Sequence, residues 1–600
     1  MAVNFNKNKQ VKLSLSRLNR LLLCPLRRLL ALIALAFSLL ASSLVLADAL
    51  PTKPDAGQIL QQIERDLELK PTPIQPELPA QAPPSEDEQA DKVTIKQFKF
   101  KGNRVLSESD LQEAVAPLLN RSISLSELKT SAGLVSEYYR KKGYLATCTL
   151  PEQDITDGVV LIEIVEAIFG GIKFDGIYKR DFIRIKPSVI ERYIDAAALK
   201  GLVLNQDQLD KGVQLLDGLA GIKVETTLQA GQALASTDLV VKVKDLPLFN
   251  SNVTLDNTGG RQTGRNKLTA MLNLASPMGY GETINLTALH TEGTDYARAS
   301  YTLPVGAKGW QFGFNGTYMQ YNVTLADFAS QKPNGYSSTL GLSTQYPLWR
   351  NKTTKLNIGL DWDVKQFTNK STPSKAEVKN SDYDLQVFAV TLSAEHNDNW
   401  LASAQTSASL NLGAGKVNLN GSANQRDDLL GAQTGGNYAR LRWNISRNQF
   451  LTDTFMLNLN GTGQFSDSNL DSSEKFYLGG NNGVRAYPTS EGAGSAGYLV
   501  AIELKKFLSN NFTVASFIDY GHIKQFEQTQ KINGQLLTEN NAYSLKGYGA
   551  SLAWQGPYRT NVKATYAHRI GQNPNPTANG NDQDGSKNID VFWLNGGINF

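Results

Sequence analysis

From Phe249 to the last residue, Phe600, the chain shows no helical period; apolar residues alternate with polar ones instead. Asn561-Val562-Lys563-Ala564-Thr565-Tyr566 is one such run, and Leu268-Thr269-Ala270-Met271-Leu272-Asn273-Leu274 is another. In a strand, Val562, Ala564 and Tyr566 share one face and Asn561, Lys563 and Thr565 the other. More than half of the chain written this way fits a transmembrane β-barrel with lipid outside and water inside. Strand-like runs start near Phe249, Lys267, Glu282, Tyr296, Trp310, Tyr336, Thr354 and Asp382. Further starts lie near Ala402, Tyr438, Phe455, Tyr498, Phe512, Tyr543, Thr560 and Asp590, which makes sixteen. An even number places both ends of the barrel on the periplasmic side.

Composition agrees. With 19% charged residues and 41% hydrophobic, the chain lacks the repeated apolar runs of a helical membrane protein. A net charge of +4 without a basic, aromatic-interleaved stripe argues against nucleic acid as a partner. Phe592, Leu594, Ile598 and Phe600 alternate to the end of the chain, which resembles the terminal signal read by the outer-membrane assembly machinery.

The amino-terminal part reads differently. Met1–Arg28 is basic and free of acids, and Leu29–Leu46 is apolar up to Val45-Leu46-Ala47. This is the pattern of a secretory signal peptide over 1–47, with the mature start at Asp48 or Leu50; an uncleaved anchor is the alternative. Of the two cysteines, Cys24 falls in that leader, so Cys148 has no disulfide partner in the mature chain. Within 48–69, Ile59, Leu60, Ile63 and Leu67 share one face of an amphipathic helix over Asp55–Leu69. The stretch 70–92, with Pro71, Pro73, Pro76, Pro79, Pro83 and Pro84, predicts an extended linker.

Two stretches, 93–167 and 168–247, then repeat the order strand, helix, helix, strand, strand. In the first, a strand over Val93–Phe100 precedes a helix over Asp110–Leu119 capped by Ser107. A second helix runs from Ser124 to Lys142, and strands follow at Leu145–Leu150 and Val159–Val165. The second stretch places helices at Pro187–Ala198 and Gln206–Leu219.

Between the strand-like runs Phe455–Phe465 and Tyr498–Phe507 lies a long Gly-rich segment carrying one cation, Arg485, near its middle. Loops of that length inside a compact region are usually functional. Val484-Arg485-Ala486-Tyr487 resembles the V-R-G-Y tip of the inward-folded sixth loop in the Omp85/TpsB superfamily of outer-membrane transporters, with Ala486 in place of Gly. Phe517-Ile518-Asp519-Tyr520-Gly521 matches that superfamily's F-x-D-x-G barrel motif. The repeated βααββ units resemble two POTRA domains. Tyr138–Tyr144 and Pro151-x-Gln153-x-Ile155-x-x-Gly158 fit the first POTRA of the TpsB branch.

The resemblance implies a sixteen-stranded barrel at 248–600, fed by two periplasmic POTRA domains, with an inward loop at 466–497. It implies a helix that plugs the pore and an ionic latch between Arg485 and Asp519. Tyr139, Tyr144 and Gln153 become candidates for contact with a client. The function implied is export of an unfolded TpsA-type exoprotein, a haemolysin or adhesin, without nucleotide hydrolysis. The expected surroundings are outer-membrane lipid and, during biogenesis, the barrel assembly machinery, with the transporter itself a monomer. An Omp85-type assembly factor, which inserts other barrels, and a substrate-specific porin or receptor are the alternatives. Two POTRA-like units are few for the first and too many for the second.

Nothing points to an enzyme, a cofactor or a metal. Gly492–Gly497 spells G-x-G-x-x-G, but a strand-like run follows where a nucleotide site needs a helix. Gly259–Gly264 has P-loop spacing, yet Arg265-Asn266 stands in place of Lys-Ser/Thr. His290, His396, His522 and His568 are scattered and never at ligand spacing.

Overall fold

A computed structural model describes residues 53–67, 92–155, 157–175, 184–508 and 511–600. The expected signal peptide and nearly all of the proline-rich linker lie outside the described residues. Helix α1 is Ala56–Leu67.

The first βααββ unit comprises β1 (Lys92–Thr94), β2 (Gln97–Lys101), α2 (Glu108–Val115), β3 (Ser122–Ser124), α3 (Leu125–Lys141), β4 (Ala146–Thr149) and β5 (Val159–Glu166). Ser107 with Asp110, and Ser124 with Glu127, close reciprocal capping boxes that start the two helices. The sheet runs β2-β5-β4, with β2 parallel to β5. The single strand expected over Val93–Phe100 is broken: β1 leaves to pair with β3, while Lys96 N and Gln97 N both donate to Gly158 O. The break turns the Ile95 side chain wholly into the core. Helix α2 also stops earlier than expected, because Pro117 opens a 3-10 turn over Ala116–Leu118.

The second unit repeats the plan with β6 (Ile168–Phe174), α4 (Pro187–Ala197), α5 (Gln206–Asp217), β7 (Ile222–Ala230) and β8 (Ser236–Asp245), in sheet order β6-β8-β7. It joins the first unit through Gln206 N, which donates to Gly143 O at 2.7 Å. On its other side Arg184 Nη1 donates to Ala275 O at 2.7 Å, and Lys186 N donates to Gly279 O at 2.9 Å. Ala275 ends the second barrel strand, and Gly279 lies in the turn that follows it.

That barrel opens with β9 (Phe249–Asp256), β10 (Lys267–Ala275), β11 (Thr283–His290), β12 (Thr294–Val305), β13 (Trp310–Asn322) and β14 (Asn334–Arg350). It continues through β15 (Thr354–Ser371), β16 (Val378–Asp398), β17 (Ala404–Asn418), a short surface helix α6 (Gln425–Leu430), β18 (Gly436–Thr452) and β19 (Phe455–Ser466). The short pair β20 (Phe476–Tyr477) and β21 (Ala493–Gly494) lies off the wall. The wall then resumes with β22 (Ala496–Phe507), β23 (Phe512–Lys524), β24 (Ala542–Gln555), β25 (Thr560–Arg569) and β26 (Asp590–Asn599). The sixteen wall strands close into an antiparallel barrel, β26 meeting β9 over five residue pairs from Asn595↔Asp256 to Asn599↔Asn252. Closure leaves no sheet edge to hydrocarbon, the condition a membrane imposes on strands. Eight of the expected strand starts coincide with the observed ones, and the largest offset is four residues, Asp382 against Val378. Helix α6 and the β20–β21 pair were not expected.

Alternation sorts the two faces. Leu340, Leu342, Trp362, Phe388 and Leu412 are exposed on the outside. Aromatic pairs gather toward both rims: Trp310–Tyr346, Phe450–Phe507 and Phe512–Trp554 at the end nearer the two βααββ units, Tyr498–Tyr520 and Tyr566–Phe592 at the other. Two such girdles flanking an apolar band mark the outer face of a membrane barrel. Phe592, Ile598 and Phe600 of the terminal run also face outward and exposed, with Leu594 half-buried among them.

Candidate functional site

Segment 467–495, between β19 and β22, folds back into the lumen. Beyond the β20–β21 pair, Leu478 N donates to Gly492 O and Gly480 N to Tyr487 O, so the segment narrows to a hairpin with Val484–Tyr487 at its tip. Glycine is needed there. A Cβ on Gly483 would stand 1.9 Å from Leu478 O, and Gly480 has φ +103°. Val484, Ala486 and Tyr487 are buried in the lumen.

In β23, alternation turns Phe517, Asp519 and Gly521 inward and Ile518 and Tyr520 outward. Asp519 is wholly buried and accepts three bonds from Arg485: from N at 3.1 Å, Nε at 2.9 Å and Nη2 at 2.7 Å. The last two form a bidentate fork, the strongest geometry a guanidinium and a carboxylate can make. Arg485 Nη1 donates to Glu503 Oε2 on β22 at 2.6 Å, a partner the sequence did not single out. The guanidinium also stands over the Phe517 ring, with Cζ 3.3 Å from the centroid. A Cβ on Gly521 would come 2.6 Å from Leu478, so the bare position makes room for the tip. From the other side, Trp593 Nε1 donates to Arg485 O at 2.8 Å.

The root of the same segment is held by β15 and β18. Glu474, with no exposed surface, accepts from Lys365 Nζ at 3.0 Å, Arg440 Nε at 2.6 Å and Arg442 Nη2 at 3.4 Å. Near the outer rim Tyr487 stacks under Arg569 with Cζ 4.1 Å from the ring, and Arg569 grips Asp582 bidentately. Glu491 accepts from Asn573 Nδ2 and Gln583 N of the final loop.

Helix α1 lies in the lumen between the wall and the segment. Its apolar face, Ala56, Ile59, Leu60 and Ile63, packs against inward residues that include Met319, Tyr321, Phe367 and Leu385. Its polar face meets the inward segment: Arg65 Nη1 donates to Tyr477 O at 2.8 Å and Nη2 to Gly479 O at 2.9 Å. Asp66 pairs with Lys267 at 2.9 Å and accepts from Asn482 Nδ2. At the other end Ser472 Oγ donates to Asp55 Oδ1, and Ala56 N donates to Asn369 Oδ1.

The three candidates in the first βααββ unit take structural places. Tyr139 is wholly buried, and its hydroxyl donates to Glu166 Oε1 at 2.8 Å, so it offers nothing to a client. Burial, reinforced by that carboxylate, pushes its phenol well above the ordinary value. Gln153 imitates a strand: its side chain accepts from Leu161 N at 2.6 Å and donates to Leu161 O at 2.8 Å. Tyr144, half-buried, bridges to Asn205 of the second unit.

Residues 235–552 match the family described as haemolysin secretion/activation protein ShlB/FhaC/HecB, and residues 93–167 match the POTRA domain, ShlB-type. The heme/hemopexin transporter protein HuxB of Haemophilus influenzae is 25% identical over 85% of this chain and 90% of its own length. The outer membrane transporter CdiB of Dickeya dadantii is 24% identical over 72% of this chain and 77% of its own. Among solved structures, CdiB from Escherichia coli superposes with a TM-score of 0.67 at 17% identity, covering 90% of this chain and 95% of that one. CdiB from Acinetobacter baumannii gives 0.63 at 18% identity, covering 90% and 96%.

Proposed function

Because this chain belongs to the haemolysin secretion/activation protein family of TpsB outer-membrane transporters, we propose that it exports one unfolded partner exoprotein through its barrel, with α1 as a displaceable plug. The observation that carries this reading is the way the lumen is filled. The inward segment is joined to the wall by buried charge pairs and is continuous with β19 and β22, whereas α1, which has its own pair in Asp66–Lys267, is a helix with no strand pairing to either. Removing α1 opens the barrel without breaking the wall.

The two βααββ units stand at the periplasmic mouth, bound to the barrel through Arg184 and Lys186. Strand β4 lies at the edge of the first sheet and β7 at the edge of the second, so each presents unpaired backbone groups to an extended client. The fork of Arg485 on Asp519 acts as the latch that keeps the segment inside while the client passes. Folding of the client outside the cell supplies direction, with no nucleotide hydrolysed. The client is of haemolysin or adhesin type.

Deleting residues 93–246 while the barrel still inserts tests the reading. Release of the co-expressed exoprotein into the medium should fall to background, and continued release would refute it.

A further inference from the structure

The outward face of a membrane barrel is ordinarily covered by large apolar side chains. In the middle of β10 to β13 a patch lacks them. Ala270 pairs with Ala288 and Ala288 with Ala297, so three exposed methyl groups stand side by side on three strands. One step nearer the βααββ units, Ala299 pairs with Gly316. The wall is hollowed there into a groove of about 1010 Å³, where Leu272, Tyr318, Leu340 and Phe600 stand beside the small residues.

The groove has a polar head. Two residues along the same face, His290 follows Ala288, Asp295 precedes Ala297, and Gln320 follows Tyr318. These three lie in direct register across β11, β12 and β13. His290 Nδ1 donates to Asp295 Oδ1 at 2.7 Å, and Gln320 Nε2 donates to Asp295 Oδ2 at 3.0 Å. Both members of the His290–Asp295 pair are more than half exposed. A carboxylate at Nδ1 fixes the ring proton there, so the atoms left for a ligand, His290 Nε2 and Gln320 Oε1, are acceptors. The ligand must bring O–H or N–H donors at one end and hydrocarbon at the other. His568 and Asp590 form the same kind of pair at 2.7 Å on β25 and β26, but there Tyr566 and Phe592 stand ring to ring in the place of the methyl groups.

The groove is continuous with the face that meets the membrane, so its occupant is a lipid. Its polar head lies at the end away from the βααββ units, which is the outer leaflet. An acylated saccharide offers hydroxyl and amide donors, whereas a phosphodiester adds acceptors and a second negative charge beside Asp295. We propose that the groove on β10–β13, headed by His290, Asp295 and Gln320, is a binding site for an acylated saccharide lipid of the outer leaflet. The site stands apart from the lumen and from the export reading.

Native mass spectrometry of the full-length protein, released from detergent micelles, supplies the test. The probes are monophosphoryl lipid A and dipalmitoyl phosphatidylethanolamine, added singly and in competition. Lipid A should be retained roughly tenfold more than the phospholipid. Ala288→Leu with Ala297→Leu fills the groove on a face where leucine is ordinary, and should lower lipid A retention roughly tenfold. Asp295→Ala with Gln320→Ala should abolish the preference between the two lipids. His568→Ala with Asp590→Ala should change neither lipid. Heat-dependent gel mobility shows which variants are folded barrels, and Ala297→Val replaces the leucine pair if that pair does not fold. Equal retention of the two lipids by the unaltered protein, or a preference for the phospholipid, overturns the proposal. Retention that survives filling of the groove, or a loss as large on changing His568 and Asp590, overturns it as well.

Discussion

The Cβ of Ala486 fills the space above Gly547: a methyl group placed on Gly547 would stand 2.7 Å from it. The loop tip carries one more carbon than the glycine of the superfamily motif, and the wall opposite carries none. Gly547→Ala should overpack this contact at a cost of about 1–3 kcal/mol. Ala486→Gly in the same chain should recover part of it, the remainder reflecting His568 O at 3.2 Å from the new methyl. Thermal unfolding of the purified protein in detergent gives the readout. A double variant no more stable than Gly547→Ala would mean that the two residues are not matched.

Asp519 takes three of the donors of Arg485 and Glu503 takes one. Asp519→Asn should therefore cost about 3–5 kcal/mol, as expected when one partner of a buried pair is removed, and Glu503→Gln distinctly less. Exchanging Arg485 and Asp519 should restore secretion only in part, because the new acid at 485 would face Glu503. Combining the exchange with Glu503→Gln should improve it. Exoprotein release, normalised to inserted barrel, separates these outcomes.

Arg65 joins α1 to the inward segment through two carbonyl oxygens, and Asp66 joins it to Lys267. Arg65→Ala with Asp66→Ala removes charge-assisted bonds worth about 1.5–3 kcal/mol each. The open fraction should rise at least roughly tenfold, seen as added conductance in planar bilayers. Conductance equal to that of the unaltered protein would deny these contacts a role in closure.

Glu474 neutralises Lys365 and Arg440 while touching Arg442. Glu474→Gln leaves those cations facing one another in a buried site, a loss of about 3–5 kcal/mol. The root of the inward segment should then become open to proteolysis near 467–475 while Arg485 still holds the tip. Unchanged cleavage and an unchanged melting temperature would assign the root no load.

Tyr139 supplies a pH dependence. Its folded-state pKa lies above the ordinary 10.0, first through burial and then through the hydrogen bond to Glu166. The unfolded chain therefore releases this proton first as the solution becomes alkaline. The stability it lends is complete below about pH 10 and is lost progressively above it. Tyr139→Phe should flatten the alkaline limb of an unfolding titration above about pH 10. A limb of unchanged slope would place its origin elsewhere.

The wall was legible in the sequence because a strand writes its period into every other residue. The run from Phe517 to Gly521 turns Asp519 inward by alternation alone. That Glu503 stands beside it depends on the register of β22 on β23, which no local pattern states. Glu474 escaped notice for the same reason: its partners lie 109 and 34 positions away and meet it only once the barrel closes. Gln153 and Tyr139 misled in the other direction. A polar and an aromatic residue in a binding module look like contacts for a client, yet here one completes a strand and the other a core. The break after Ile95 was legible but passed over: Lys96 and Gln97 are two successive polar residues, and they shift the apolar phase from Val93 and Ile95 to Phe98 and Phe100 as the pairing partner changes.

The place of α1 also has a consequence for biogenesis. Arg65 docks on the carbonyls of Tyr477 and Gly479, which reach the lumen only after the later strands have assembled and the segment between β19 and β22 has turned inward. The helix that precedes every strand must therefore wait for almost all of them before it has anywhere to dock. Docked α1 is therefore the mark of a finished wall, a fit that a partial barrel has no means to provide.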